Sequence, residues 1–178
     1  MHMKHSGIHR AICVIFTAVL FAGLAGCGGG LVDRDIQLNL GPSLQTDNQS
    51  AGTIAVDLVG VNESDYQRWY NYSMTQYFSA GDLLRSDATK KTENFIPGSS
   101  ATIVFAKDDP VWQQWQSEGD KYLFVLVQLP GIHQDLPGAQ DPRRLILPLP
   151  KSSWSDSSNP IIIQIKDSGV VCETPPNS

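Results

Sequence analysis

Ile36-Gln-Leu-Asn-Leu40 is the first of several short segments in which apolar and polar residues alternate. Successive side chains of a β-strand point to opposite faces, so the pattern predicts a strand with its three apolar side chains on a buried face. Thr53-Ile-Ala-Val-Asp-Leu-Val59 repeats the alternation and places Asp57 on the face opposite Ile54, Val56 and Leu58. The two segments predict a sheet with one face turned to a core.

Further strands follow at short spacing. Residues 122–129 are almost wholly apolar, which predicts a central strand buried on both faces. Pro148 cannot donate a ladder hydrogen bond and predicts an edge or a bulge. Residues 83–95 are expected to hold one more strand of undefined limits. With strands also at 100–106, 144–149 and 161–166, the sequence predicts a mainly β protein, a two-sheet β-sandwich with one or two short added helices.

Two segments have helical features. In residues 64–78, aromatic and apolar positions recur at helical spacing, and Ser64 with Gln67 has the form of a capping box. The aromatic residues there either cover a β core or form a recognition surface. Asp109-Pro110 predicts the start of a second short helix that carries Trp112 and Trp115.

The N-terminus has the layout of a bacterial lipoprotein signal peptide. Basic residues Lys4 and Arg10 precede an apolar run over residues 11–24, and the small residues of Leu24-Ala-Gly-Cys27 follow. We therefore expect cleavage after residue 26 and lipidation of Cys27; the alternative is an uncleaved transmembrane helix. Gly28, where inner-membrane lipoproteins tend to carry Asp, favours the periplasmic face of the outer membrane.

The predicted organisation has four parts. Residues 1–26 are the removed signal peptide, 27–35 a lipidated flexible tether, 36–171 the β-sandwich domain and 172–178 a disordered tail. Cys172 is then the only cysteine besides the lipidated one, so no intramolecular disulfide is expected.

Charge and composition exclude several classes of function. The chain has a net charge of −5, and loss of the two basic residues of the signal peptide makes the mature protein more acidic, which argues against nucleic-acid binding. His133 is the only histidine after the signal peptide, and no known catalytic or zinc-binding motif is present. Asp109 is expected to cap a turn, not to bind calcium with Asp108. The sequence predicts a protein that is not an enzyme and carries no cofactor or metal.

In order and pattern, the chain resembles the TssJ (SciN-like) lipoproteins of the type VI secretion system. The resemblance rests on the box that ends at Cys27, the strand 36–40, the polar loop 41–52, and the strand 53–61 followed by a helix. It continues through the later segments 98–104, 122–127, 143–147 and 160–165.

The resemblance implies a transthyretin-like sandwich that acts as a scaffold under the outer membrane and binds the periplasmic domain of a TssM-like inner-membrane protein. The loop 41–52 is implied in that contact, through Pro42, Leu44, Gln45, Asp47 and Asn48. Trp69, Tyr70 and Tyr77 are a possible secondary contact. The chain departs from the family pattern at Leu58-Val-Gly-Val61 and in the segment with Trp112 and Trp115.

A different class of function is a lipid-anchored protein that binds a small molecule or a glycan. Trp69, Trp112 and Trp115 would then stack on sugar rings in a pocket. An enzyme that uses Asp108 or His133 is a third class.

Overall fold

The computed structural model describes residues 29–45 and 52–177, and it shows a mainly β protein with two four-stranded sheets. The signal peptide, Cys27, Asp47 and Asn48 lie outside the described residues. The strands are β1 Ile36–Leu40, β2 Ile54–Val61, β3 Lys90–Phe95, β4 Thr102–Phe105, β5 Tyr122–Val127, β6 Arg144–Pro148, β7 Ile161–Lys166 and β8 Gly169–Cys172. The helices are α1 Tyr66–Asn71, α2 Met74–Tyr77, α3 Leu83–Asp87 and α4 Val111–Glu118.

The two sheets have the strand orders β4-β1-β7-β8 and β3-β2-β5-β6. β1 pairs with β7 in parallel, Ile36 opposite Ile161, and the other pairings are antiparallel. The inward side chains of both sheets form one apolar core, which confirms the predicted sandwich. As predicted, β5 is an inner strand buried on both faces, and β6, with Pro148, lies at a sheet edge.

A helical layer covers the outer face of the β3-β2-β5-β6 sheet. Trp69, Met74, Tyr77 and Leu84 from the helices pack on Val59, Val61, Phe124 and Leu126 in a second apolar cluster. The aromatic residues of this segment therefore cover the sheet, which was one of the two readings of their pattern. Because this face is covered, Asp57 is buried, where its alternating pattern had placed it on a polar face.

The single helix predicted over residues 64–78 is wrong, since α1 and α2 are separated at Tyr72, whose backbone is extended. Arg144 of β6 explains the break, because its guanidinium donates hydrogen bonds to the backbone carbonyls of Tyr70 and Tyr72. Those carbonyls lie at a helix end, where intrahelical partners are absent. The capping box is also absent, since Ser64 donates to Asn62 and the N-cap of α1 is Asp65.

The segment Leu58-Val-Gly-Val61 and the segment with Trp112 and Trp115 pack together in the structure. Trp115 of α4 is fully buried and lies against β2 at Gly60, where an added Cβ would come within 2.3 Å of its indole ring. Only glycine leaves space for this packing. Asp109 accepts a hydrogen bond from the backbone of Val111, so it caps α4 as predicted.

Three predicted boundaries change. Residues 31–35, expected in the tether, pack on the domain: the Val32 amide donates to the carbonyl of Leu149, and Arg34 is buried. Residues 83–95 hold α3 before the expected strand β3. Cys172, predicted to begin the tail, ends β8, and the amides of Glu173 and Asn177 donate to Ile162 and Ser153.

Candidate docking surface

The strands define two opposite ends of the sandwich. At the loop end, residues 41–45 follow β1, residues 52–53 precede β2, residues 96–101 follow β3 and residues 128–143 follow β5. The anchor end comprises residues 29–35, 106–121 and 149–160, where Ile36 and Tyr122 begin their strands. The amide of Lys151 donates to the carbonyl of Gly30, which fixes the N-terminal segment at the anchor end. β2 has 8 residues, so at ~3.3 Å per residue the ends are separated by about 26 Å.

Residues 42–45 are helical and close the core at the loop end. Leu44 is only 2% exposed and belongs to the main core. The expectation that Leu44 contacts a partner is therefore corrected, because its side chain packs in the core and is not accessible at the surface. Pro42 and Gln45 are exposed, and the Gln45 amide group donates a 2.6 Å hydrogen bond to the carbonyl of Leu40. Asp47 and Asn48 belong to the part of this loop that the structure does not describe.

Ile96 adds an apolar group that sequence reasoning missed. It is 58% exposed in the β3–β4 turn and lines a cleft of about 150 Å³ together with Gln45. The sequence offers one signal for it, because two large apolar residues in succession, Phe95 and Ile96, cannot both face the core if the extended chain continues through them. Pro42, Gln45 and Ile96 thus lie at the same end of the sandwich.

A buried ion-pair network stabilises the 128–143 loop at the loop end. Arg143 donates to Asp141 at 2.8 Å and to Asp135 at 2.6 Å, and its side chain is nearly inaccessible to solvent. Partial burial opposes ionisation of Asp135, but hydrogen bonds from Ser73, Thr75 and Arg143 hold its pKa well below the usual range. The network ties α2 to the 128–143 loop and lines a cavity of about 340 Å³ that opens beside Thr53.

The predicted secondary contact is corrected for two of its residues. Trp69 and Tyr77 are buried under the helical layer, and Tyr77 donates a 2.9 Å hydrogen bond to Asp57. Tyr70 is half-buried with its ring against Gly138. Trp69 and Tyr77 therefore hold the helices to the sheet, and of the three residues Tyr70 alone keeps part of its side chain accessible.

The proposed sugar-stacking set fails for the same reason. Trp69, Trp112 and Trp115 are all buried, and the indoles of Trp112 and Trp115 donate to the carbonyls of Ala106 and Thr89. Their faces pack inside the protein, Trp112 stacked on Phe105 at 5.1 Å. These tryptophans therefore cannot stack on a sugar ring without local unfolding.

His133 lies exposed in the 128–143 loop, and its backbone carbonyl accepts a 3.4 Å hydrogen bond from Thr75. Within residues 29–45 and 52–177, no three His, Cys, Asp or Glu side chains are arranged to hold a metal ion. In the same part of the chain, no helix has the length and apolar character needed to cross a membrane.

No family model matches this chain, and no curated protein matches it in sequence. Several solved structures are similar to it. The fold is similar to that of TssJ1. This lipoprotein of the type VI secretion system of Pseudomonas aeruginosa is 16% identical over 83% of this chain and 99% of its own, with a TM-score of 0.48.

Two further structures have a comparable likeness. Serratia marcescens Lip, a membrane bound component of the type VI secretion system, is 13% identical over 78% of this chain and 94% of its own, with a TM-score of 0.45. A structure described as the C-terminal domain of the type VI secretion protein TssM from EAEC is 12% identical over the same shares, 78% and 94%, with a TM-score of 0.46. All three are likenesses of fold.

Proposed function

We propose that this protein is a lipid-anchored scaffold of a type VI secretion membrane complex, held at the periplasmic face of the outer membrane through Cys27. It docks the periplasmic domain of a TssM-like inner-membrane protein and performs no catalysis. The proposal combines the lipobox and the strand order of the sequence with the geometry of the domain.

The opposite placement of the two ends is the observation that carries the proposal. The chain enters the domain at the anchor end, and the loop implied in docking leaves it at the loop end. A lipid at Cys27 therefore leaves the loop end directed away from the membrane. A scaffold between two membranes requires this arrangement, and loops on a rigid sheet are a common place for binding residues.

The docking contact is proposed to include Pro42, Gln45, Asp47, Asn48 and, from the structure, Ile96. Leu44 supports the loop from below. An exposed apolar residue beside polar neighbours is suited to a protein interface, because burial of Ile96 removes apolar surface from water and the polar groups provide specificity.

The docking test is a calorimetric titration of the protein with the periplasmic domain of the TssM-like protein of the same organism. Ile96→Asp should weaken binding at least tenfold, since it places a charge in an apolar contact, and should change the free energy of unfolding by less than about 1 kcal/mol. The matched control is Leu83→Asp, an exposed leucine on α3 outside the loop end. Equal affinity of both variants, or no binding by the wild type, would overturn the docking assignment.

The anchor is tested separately by labelling cells with a fatty-acid analogue. Cys27→Ala should abolish incorporation, because the thiol is the acceptor of the lipid in the proposed lipobox. Label that persists in this variant would refute the anchor without bearing on the docking loop.

A further inference from the structure

Arg34 is a buried cation that forms no salt bridge with any carboxylate of residues 29–45 and 52–177. Its side chain donates to the backbone carbonyls of Asn159 and Pro160, and its Nη1 has no hydrogen-bond partner in the described part of the chain. The residue is only 5% exposed. Arg143, buried to a similar degree, is paired with two carboxylates. A buried charge is costly unless it is paired, so Arg34 lacks the counterion that Arg143 has.

Arg34 lines a cavity of about 560 Å³ at the anchor end. The buried indole of Trp154 forms part of the wall, and the exposed side chains of Lys107 and Lys151 add two cations at the surface. The size is within the range of small-molecule sites. Four serines complete the lining: Ser152, Ser155, Ser157 and Ser158.

Three carboxylates also line the cavity, and two of them are engaged by Lys107. The Lys107 ammonium lies 3.6 Å from Asp33, and its backbone amide donates a 2.9 Å hydrogen bond to Asp35. Asp156 is exposed on the serine-rich segment. Neither Arg34 nor Lys151 forms a salt bridge within the described residues, so the guanidinium and the ammonium are available as donors to an anionic ligand, in a lining of three basic and three acidic side chains. A guanidinium with serine hydroxyls is the donor set that suits a phosphate oxyanion.

The position of the cavity indicates the source of the phosphate. Gly30 is hydrogen-bonded to Lys151 on the cavity lining, and Cys27 is three residues before it. Three residues of extended chain span at most about 11 Å. A lipid on Cys27 would therefore hold this cavity in the headgroup layer of the membrane.

We propose that the cavity lined by Arg34, Lys151 and the serines of residues 152–158 binds the phosphate group of a membrane lipid headgroup. The ligand provides the counterion that Arg34 lacks. The assignment of the source rests on the proposed lipid anchor, whereas the phosphate chemistry rests on the cavity alone. Binding would fix the orientation of the domain on the membrane with the loop end outward.

The test is a calorimetric titration of the full lipoprotein, purified in the phosphate-free detergent dodecyl maltoside. Glycerophosphoglycerol, the deacylated headgroup of phosphatidylglycerol, and inorganic phosphate are the two probes. Arg34→Gln should weaken both at least tenfold, as expected for loss of a charge-assisted phosphate contact. Asp156→Asn should tighten binding, because it removes a negative charge from the lining. Arg68→Gln, at an exposed arginine on α1, is the control and should leave affinity unchanged.

Lys151→Gln keeps the test decisive if Arg34→Gln fails to fold, since the Lys151 side chain is exposed. It should weaken both probes several-fold. Binding of inorganic phosphate without glycerophosphoglycerol would overturn the lipid source. Absence of binding by both probes, or wild-type affinity in Arg34→Gln and Lys151→Gln, would overturn the site. None of these titrations needs the docking partner or a membrane, so failure here and failure of the scaffold proposal are distinguishable.

Discussion

Asp120 should make the stability of this domain fall as the pH rises. It follows α4, is only 2% exposed, and its Oδ2 has no hydrogen-bond partner among the described residues. Burial, with smaller contributions from the charges of Glu118 and Asp65, raises the pKa of Asp120 from 3.8 to about 7. The folded protein therefore holds a proton on Asp120 at pH values where the unfolded chain has lost it.

The direction and size of the effect follow from this difference. Below about pH 4, Asp120 is largely protonated in both the folded and the unfolded state, so its ionisation does not lower the free energy of unfolding. As the pH rises through about 7, the folded state must ionise a buried carboxyl group, so its stability declines. A difference between 3.8 and about 7 corresponds to a loss of at most about 4 kcal/mol at pH 8. Asp120→Asn removes the charge and keeps the shape, so it should recover most of this loss.

Urea denaturation of the wild type and Asp120→Asn at pH 4, 6 and 8 measures the effect. The two proteins should have free energies of unfolding within about 1 kcal/mol at pH 4, and the variant should be more stable by about 2 to 4 kcal/mol at pH 8. Asp108→Asn makes the same chemical change at an exposed position and should keep the wild-type profile. Parallel pH profiles for wild type and Asp120→Asn would refute the reasoning.

Three other substitutions test the packing and the ion-pair network by denaturation. Gly60→Ala should destabilise the domain by about 2 to 4 kcal/mol, since its Cβ would lie 2.3 Å from Trp115, whereas Gly30→Ala, with nothing within 4 Å, should be neutral. Arg143→Gln should cost about 3 to 5 kcal/mol, because it leaves the buried Asp141 unpaired; a cost below 1 kcal/mol would contradict the network. Val125→Asp places an unpaired charge at a fully buried position and should unfold the domain, seen as loss of the cooperative transition; a folded variant would show that β5 is not central.

Part of the candidate site could be predicted from the sequence. The loop between β1 and β2 was identified because the alternating segments on both sides of it are clear. The burial of Leu44 could not be read from the loop, since a leucine in a polar segment gives no indication of which side chains it will meet. The cavity around Arg34 was also missed, because residues 31–35, 107 and 151–158 are far apart in the chain and are joined only when the sheets pack.

The sequence by itself determined β1, β2 and β4 to β7, because alternation with a period of two residues and continuous apolar runs are local properties of a segment. It left the limits of β3 open and did not indicate β8. It also determined the cap of α4 at Asp109 and the edge position of Pro148, since both follow from the hydrogen bonds of a single residue. Only the tertiary structure decided what covers each face. The alternation along β2 predicts that Asp57 lies on a solvent-facing side, yet the helices cover that face and Asp57 is buried. Tyr77 of α2 and Arg85 of α3 donate hydrogen bonds to its carboxylate at 2.9 Å and 2.8 Å. The break between α1 and α2 likewise depends on Arg144, 72 residues away along the chain, whose guanidinium binds the carbonyl of Tyr72.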